Sequence, residues 1–69
     1  MQDWHLLFKT RDRSEASIIQ GMLEENEIAA QILNKLDSSY LNFGELEIYV
    51  PAAQNTKAKD LMRELKYDL

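Results

Sequence analysis

The stretch ELEIYV at residues 45–50 is the clearest strand signal in the chain. Every second residue is apolar, a pattern typical of a strand that has one face on a core and the other toward solvent. The inward set is Leu46, Ile48 and Val50, and the outward set is Glu45, Glu47 and Tyr49. Because proline lacks a backbone donor, we expect the strand to stop at Pro51.

On either side of this strand lies a segment with the periodicity of an amphipathic helix, residues 13–26 and residues 54–66. Asp12 is the expected N-cap of the first helix, and Glu15 lies three residues further on, which is the spacing of a capping box. At about 100° per residue, each helix gathers its apolar side chains into one core-facing stripe. The two stripes are Ala16, Ile19, Met22 and Leu23 in the first helix, and Ala58, Leu61, Met62 and Leu65 in the second.

Two further strands are expected, at residues 4–10 (WHLLFKT) and residues 28–33 (IAAQIL). A polar loop over residues 34–44 joins the second of these to the strand at 45–50. The strand at 4–10 does not reveal its core side, because both of its faces carry apolar groups. One face holds Trp4, Leu6 and Phe8, and the other holds His5, Leu7 and Lys9.

The element order is therefore β-α-β-β-α. The first β-α-β unit favours a right-handed crossover, and the connecting loop of moderate length makes the last two strands antiparallel. These rules predict a three-stranded antiparallel sheet in the order 1-3-2, with both helices on one face. Residues 1–69 are thus expected to form one α+β domain, a ferredoxin-like sandwich whose fourth strand is missing or vestigial.

Composition argues against several classes of function. Eight Lys and Arg oppose twelve Asp and Glu, and the net charge of −4 argues against a nucleic-acid partner, because nonspecific binding depends on neutralising phosphates. The chain has no cysteine and one histidine, which excludes disulfides and an ordinary zinc site. A signal peptide and an apolar run of about 20 residues are both absent from the sequence, so we expect a soluble cytoplasmic protein without a membrane partner.

His5 is the one side chain suited to general acid–base catalysis at neutral pH. No serine or aspartate lies at a spacing that suggests a catalytic triad, so His5 is better interpreted as a residue of the sheet surface. We therefore expect neither an enzyme nor a cofactor.

The loop between the second and third strands holds the best candidates for binding. Asn34 and Lys35 precede the run DSSY at residues 37–40, which adds a carboxylate, two hydroxyls and a phenol. Such groups suit hydrogen bonding to a small polar ligand or a partner peptide, and the alternative is that they shape the turn through bonds to nearby backbone amides. The candidate site residues are Asn34, Lys35, Asp37, Ser38, Ser39 and Tyr40.

Gly21 lies inside the first predicted helix, where glycine costs about 1 kcal/mol relative to alanine. Two explanations are open. Another chain or helix approaches closely at this position, or the helix simply tolerates the glycine.

Several segments together resemble a family of small bacterial domains that is labelled putative prokaryotic signal-transducing protein. The segments are DW at 3–4, ASIIQGMLEENEIAA at 16–30, NKLDSSY at 34–40, GELEIYVP at 44–51 and KAKDLM at 57–62. The resemblance implies a ferredoxin-like fold related to nitrogen-regulatory PII proteins. In PII proteins the loop between strands two and three contacts targets and ligands bind at clefts between subunits, and that loop corresponds here to residues 34–44.

These observations favour a non-enzymatic regulatory or protein-interaction module, with a small-ligand sensor that uses the 34–44 loop at an oligomer cleft as the alternative. We also expect a homodimer or a protein partner, because a sheet covered on one face exposes apolar groups on the other and leaves the first strand with an unpaired edge. The expected exposed set is Tyr49 and Leu33, together with either Trp4, Leu6 and Phe8 or Leu7.

Overall fold

The structure, a computed structural model, describes residues 3–35 and 44–65. The β-α-β-β-α order is the predicted one, with a short 3₁₀ helix (Ala52–Gln54) added before the second α-helix. The elements are β1 (Trp4–Thr10), α1 (Arg13–Glu25), β2 (Gln31–Asn34), β3 (Leu46–Pro51) and α2 (Asn55–Glu64).

The three strands form one antiparallel sheet in the order β1-β3-β2, as predicted. The central strand β3 turns its buried side chains, Leu46, Ile48 and Val50, toward the core, which confirms the inward face inferred from the sequence. Buried residues of α1 and α2 belong to the same apolar cluster, so both helices pack on this one face. The cluster consists of Leu7, Ala16, Ile19, Leu23, Ile28, Ala30, Leu46, Ile48, Val50, Ala58 and Met62.

A β-bulge decides which residues of β1 face the core. The register passes from Leu6 opposite Tyr49 to Phe8 opposite Ile48, which leaves Leu7 as the additional residue. Leu7 is buried and Phe8 packs against the same cluster, so two consecutive residues contribute to the core. The expectation that one of these two lies on the outer face is wrong, because the bulge interrupts the strict alternation of the strand.

The start of α1 has the predicted Asp12 N-cap. The Asp12 carboxylate accepts hydrogen bonds from the backbone N–H groups of Ser14 (2.8 Å) and Glu15 (3.3 Å). In a capping box the Glu15 side chain would accept directly from the Asp12 N–H, but here Thr10 connects the two groups. The buried Thr10 hydroxyl accepts from the Asp12 N–H (3.0 Å) and donates to the Glu15 carboxylate (2.6 Å).

The end of α1 is a Schellman motif that has Glu27 in the left-handed position, with φ of 62°. The Ile28 N–H donates to the Leu23 carbonyl (2.9 Å) and the Glu27 N–H donates to the Glu24 carbonyl (3.0 Å). Ile28 therefore closes this turn and is buried against the core, and residues 28–30 are not part of a strand. The predicted strand at 28–33 is accordingly shifted and begins only at Gln31, the first residue that pairs with β3.

Gln54 joins the end of α1 to the start of α2. Its side-chain amide accepts from the Ala29 N–H (3.2 Å) and donates to the Glu27 carbonyl (2.9 Å). One amide thus satisfies a donor and an acceptor of a turn that is not paired in the sheet.

The helix α2 is shorter than predicted at both ends, since Gln54 belongs to the 3₁₀ helix and Glu64 is the last helical residue. Ala58 and Met62 are buried as expected. The prediction that Leu65 lies in the core is wrong, because Leu65, the C-cap of the helix, is 46% exposed. Neither helix of the described residues is long and apolar enough to cross a membrane.

Candidate functional site

The sheet face opposite the helices is the candidate functional site. Residues directly opposite each other in an antiparallel pair share a face, so the strand register assigns its members from β1, β2 and β3. Among the described residues, none of the helices packs on this side. We call it the outward face, and its members are Trp4, Leu6, Lys9, Gln31, Leu33, Glu47, Tyr49 and Pro51.

One end of the outward face is apolar. Trp4 lies opposite Pro51, and Leu6 lies opposite Tyr49. Leu6 is 40% exposed, and the other three are half-buried. Because the two pairs are neighbours across β1 and β3, they make a contiguous apolar patch that solvent reaches.

The middle of the outward face is organised around Glu47. Its carboxylate Oε1 accepts a hydrogen bond from the Tyr49 hydroxyl (2.8 Å) and lies 3.3 Å from the Lys35 Nζ. Only 13% of the Glu47 side chain is exposed, whereas Lys35 is largely in solvent. The carboxylate is therefore held in place by two partners, one of which lies on the same strand and one just beyond β2.

These contacts change the acidity of both groups. The hydrogen bond from Tyr49 is the largest effect that lowers the pKa of Glu47, and the positive charges of Lys35 and Lys9 act in the same direction against partial burial. The same hydrogen bond raises the pKa of Tyr49, with desolvation as the second cause. Glu47 thus stays ionised, and Tyr49 stays protonated, over a wider pH range than either would alone.

The other end of the outward face is basic. Lys9 lies opposite Glu47, and the Lys35 N–H donates to the Glu45 carbonyl (3.1 Å), which places Lys35 beside the start of β3. The Arg11 side chain donates to the Gly44 carbonyl at 3.4 Å, at the same end of the sheet. Three exposed cations therefore gather where β3 begins.

The structure separates the two predicted loop residues that it describes. Asn34 is the last residue of β2 and lies opposite the buried Leu46, on the helix side of the sheet. Lys35 is on the outward face beside Glu47. The remaining predicted residues lie outside the described residues, namely Asp37, Ser38, Ser39 and Tyr40.

Sequence reasoning missed the cluster that Lys35 forms with Glu47 and Tyr49. The signal was present, because the alternation of β3 puts Glu47 and Tyr49 two residues apart on the same face. Their partner on the neighbouring strand, however, depends on the register, which alternation within one strand does not reveal.

The other two sequence candidates lie away from the outward face. His5 is exposed and opposite Val50, on the helix side, and the described residues give its ring no hydrogen-bond partner. Gly21 is exposed on α1, and no atom of the described chain lies within 4 Å of where a Cβ would stand. Among the described residues, no neighbouring helix comes close enough to require a glycine at this position. Residues 3–35 and 44–65 also bring no three potential metal ligands together.

A shallow groove of about 560 Å³ separates the end of α1 from α2. Its floor is apolar and includes the buried Ile28 and the half-buried Leu61, whereas its walls are polar. None of its described lining residues comes from the 34–44 loop. The lining residues are Asn26, Ile28, Ala53, Thr56, Lys57, Asp60, Leu61 and Glu64.

Comparison with known proteins identifies a family for this chain. No curated protein matches the chain. Among protein families, residues 4–66 match the one described as "Putative prokaryotic signal transducing protein". The match begins at the first residue of β1 and extends beyond the last residue of α2, so it includes every described helix and strand. The chain therefore belongs to this family.

Proposed function

We propose that this domain is a non-enzymatic protein-interaction module that acts in signal transduction, in the cytoplasm, through the outward face of its sheet. The family description supports a signalling role. The observation that carries the proposal is the apolar patch formed by Trp4, Leu6, Tyr49 and Pro51, because helices already cover the opposite face and supply the core. Contiguous apolar surface on a small protein commonly marks an interaction site.

The polar middle of the outward face supports the same proposal. Tyr49 and Lys35 hold the Glu47 carboxylate in one position before any partner arrives. A pre-ordered polar group loses little conformational entropy on binding, so it favours a defined orientation of the partner. A partner would bury the apolar patch and take its orientation from the fixed polar side chains beside it.

The experiment is affinity capture from a lysate of the source cell, with the wild-type domain and two variants. Leu6→Gln places a polar group in the patch, and Ile18→Gln makes the same kind of change at a residue of α1 that is 67% exposed on the helix side. We expect the wild type and Ile18→Gln to capture the same proteins and Leu6→Gln to lose them. Capture that is equal for all three forms would contradict the proposal, provided that circular dichroism shows each form folded.

The second function is a small-ligand sensor, and the groove between α1 and α2 favours it. The groove combines an apolar floor with polar walls, which is the usual composition of a ligand site. A thermal-shift screen with nucleotides, amino acids and 2-oxo acids tests it. A ligand at about 100 times its Kd adds about 2.7 kcal/mol to the free energy of unfolding. An absence of any shift favours the interaction module.

A further inference from the structure

We infer that the partner of the outward face is a protein segment that carries carboxylates next to apolar side chains, and that its acidic end lies over the start of β3. This inference rests on the proposed function, since it names the chemistry of the partner and its direction on the same face. It is drawn from the unequal distribution of charge on the outward face.

The charges near the start of β3 differ in sign from those of the chain as a whole. The net charge of the protein is −4. Among the described residues of the basic end, however, Lys9, Arg11 and Lys35 outnumber the carboxylates of Glu45 and Glu47. This end therefore favours a negatively charged partner, whereas the chain in general repels one.

The contacts of Glu47 leave its negative charge less accessible than the positive charges around it. Its carboxylate already accepts from Tyr49 and pairs with Lys35, and it has only a small exposed fraction. Lys9 and Lys35 are exposed, so their remaining hydrogen-bond capacity faces solvent. An incoming segment therefore meets the exposed ammonium groups of Lys9 and Lys35 more directly than the Glu47 carboxylate.

The direction follows from the arrangement along β3. The cations lie beside Glu45 and Glu47, and the apolar patch lies at Tyr49 and Pro51. Glu47 lies two residues from Tyr49 and four from Pro51, which is about 7–13 Å along a strand. A segment that contacts both ends must therefore place its acidic groups about 7–13 Å from its apolar groups, which a single helix or strand can do.

The experiment selects random peptides of about 12 residues, displayed on phage, against the immobilised wild-type domain, since this length spans about 20 Å when folded as a helix. We expect the selected sequences to be enriched in Asp and Glu beside Leu, Ile, Phe or Trp. A synthetic copy of the most frequent sequence should lose its binding to Leu6→Gln. It should bind the Lys9→Glu/Lys35→Glu variant roughly tenfold more weakly or worse, with a similar loss in about 1 M salt, where charges are screened within about 3 Å.

Two variants keep the test decisive. Lys59→Glu reverses one charge on α2, away from both the outward face and the groove, and should leave peptide binding unchanged. The double reversal places two glutamates beside Glu47, and their repulsion could unfold the domain. In that case Lys9→Gln/Lys35→Gln removes the cations without adding negative charge and should still weaken binding several-fold.

The failures of the two proposals are distinguishable. Peptides that require Leu6 but show no acidic enrichment, or that bind the charge variants normally, overturn this inference and leave the interaction module intact. Enrichment in Lys and Arg overturns it as well. If no selected peptide depends on Leu6, both proposals fail. A Leu6-dependent dimer in sedimentation equilibrium, with no peptide binding, assigns the face to a second copy of the chain and overturns the inference.

Discussion

The Thr10 hydroxyl donates a hydrogen bond of 2.6 Å to the Glu15 carboxylate across the junction of β1 and α1. The same hydroxyl accepts from the Asp12 N–H at 3.0 Å, so it replaces the direct contact between Glu15 and the N-cap that a capping box would make. Because Thr10 pairs with Leu46 of β3, the first turn of α1 is anchored to the sheet and not only to its own cap.

Replacing Thr10 by valine tests this relay. Thr10→Val keeps the shape of the side chain and leaves the Asp12 N–H and the Glu15 carboxylate without this partner, so we expect a loss of about 1–3 kcal/mol in the free energy of unfolding. Urea denaturation measures it. Thr10→Ser keeps the hydroxyl and should lose clearly less. Equal losses for the two variants would show that the methyl group, and not the hydrogen bonds, matters at this position.

Glycine at position 27 should stabilise the protein. Glu27 adopts a φ of 62°, a left-handed conformation that costs a residue with a Cβ about 1–2 kcal/mol. Glu27→Gly should recover part of this, about 0.5–1 kcal/mol, because glycine also raises the entropy of the unfolded chain. The thermal midpoint would rise, whereas Glu24→Gly, inside α1, should lower it. A lower midpoint for Glu27→Gly would mean that its side chain stabilises the turn in another way.

Alanine at position 21 should also stabilise the protein. The space around Gly21 is open, and alanine is favoured over glycine inside a helix by about 0.5–1 kcal/mol. Chemical denaturation of Gly21→Ala measures the gain. The same variant tests the other explanation of this glycine, which is close approach of another chain. If Gly21→Ala is more stable than the wild type but captures a partner less well, a second chain packs against α1 at this position.

The contribution of Glu47 to stability should depend on pH. Folding lowers the pKa of Glu47 from its ordinary value of 4.5, so its stabilising effect is complete above that value and is lost as the pH falls through the folded pKa. Glu47→Gln should therefore be less stable than the wild type at neutral pH, and the two thermal midpoints should converge in acid.

Tyr49→Phe provides the control for this titration. It removes the hydrogen bond that has the largest effect on the pKa of Glu47. In a protein that already carries Tyr49→Phe, the change in thermal midpoint caused by Glu47→Gln should therefore be smaller and less dependent on pH. A constant difference between wild type and Glu47→Gln from neutral pH to acid would contradict the role assigned to the pair.

The sequence by itself determined the order of elements, the topology and the main core positions. Strict alternation at Leu46, Ile48 and Val50 and the helical stripes containing Ile19 and Met62 are local patterns, and each allows one way to bury its apolar side chains. Chain connectivity then favours one sheet order, and the structure has it. The family was also recognisable at this level, and the match over residues 4–66 confirms it.

Tertiary structure decided what the local patterns left open. β1 is apolar on both faces, so only the bulge at Leu7, set by pairing with β3, assigns its inward residues. Ile28 is apolar whether it lies in a strand or in a helix-terminating turn, and the backbone bond to Leu23 selects the turn. The partnership of Lys35 with Glu47 likewise follows from the register between β2 and β3, because residues distant in sequence are brought together only when strands pair.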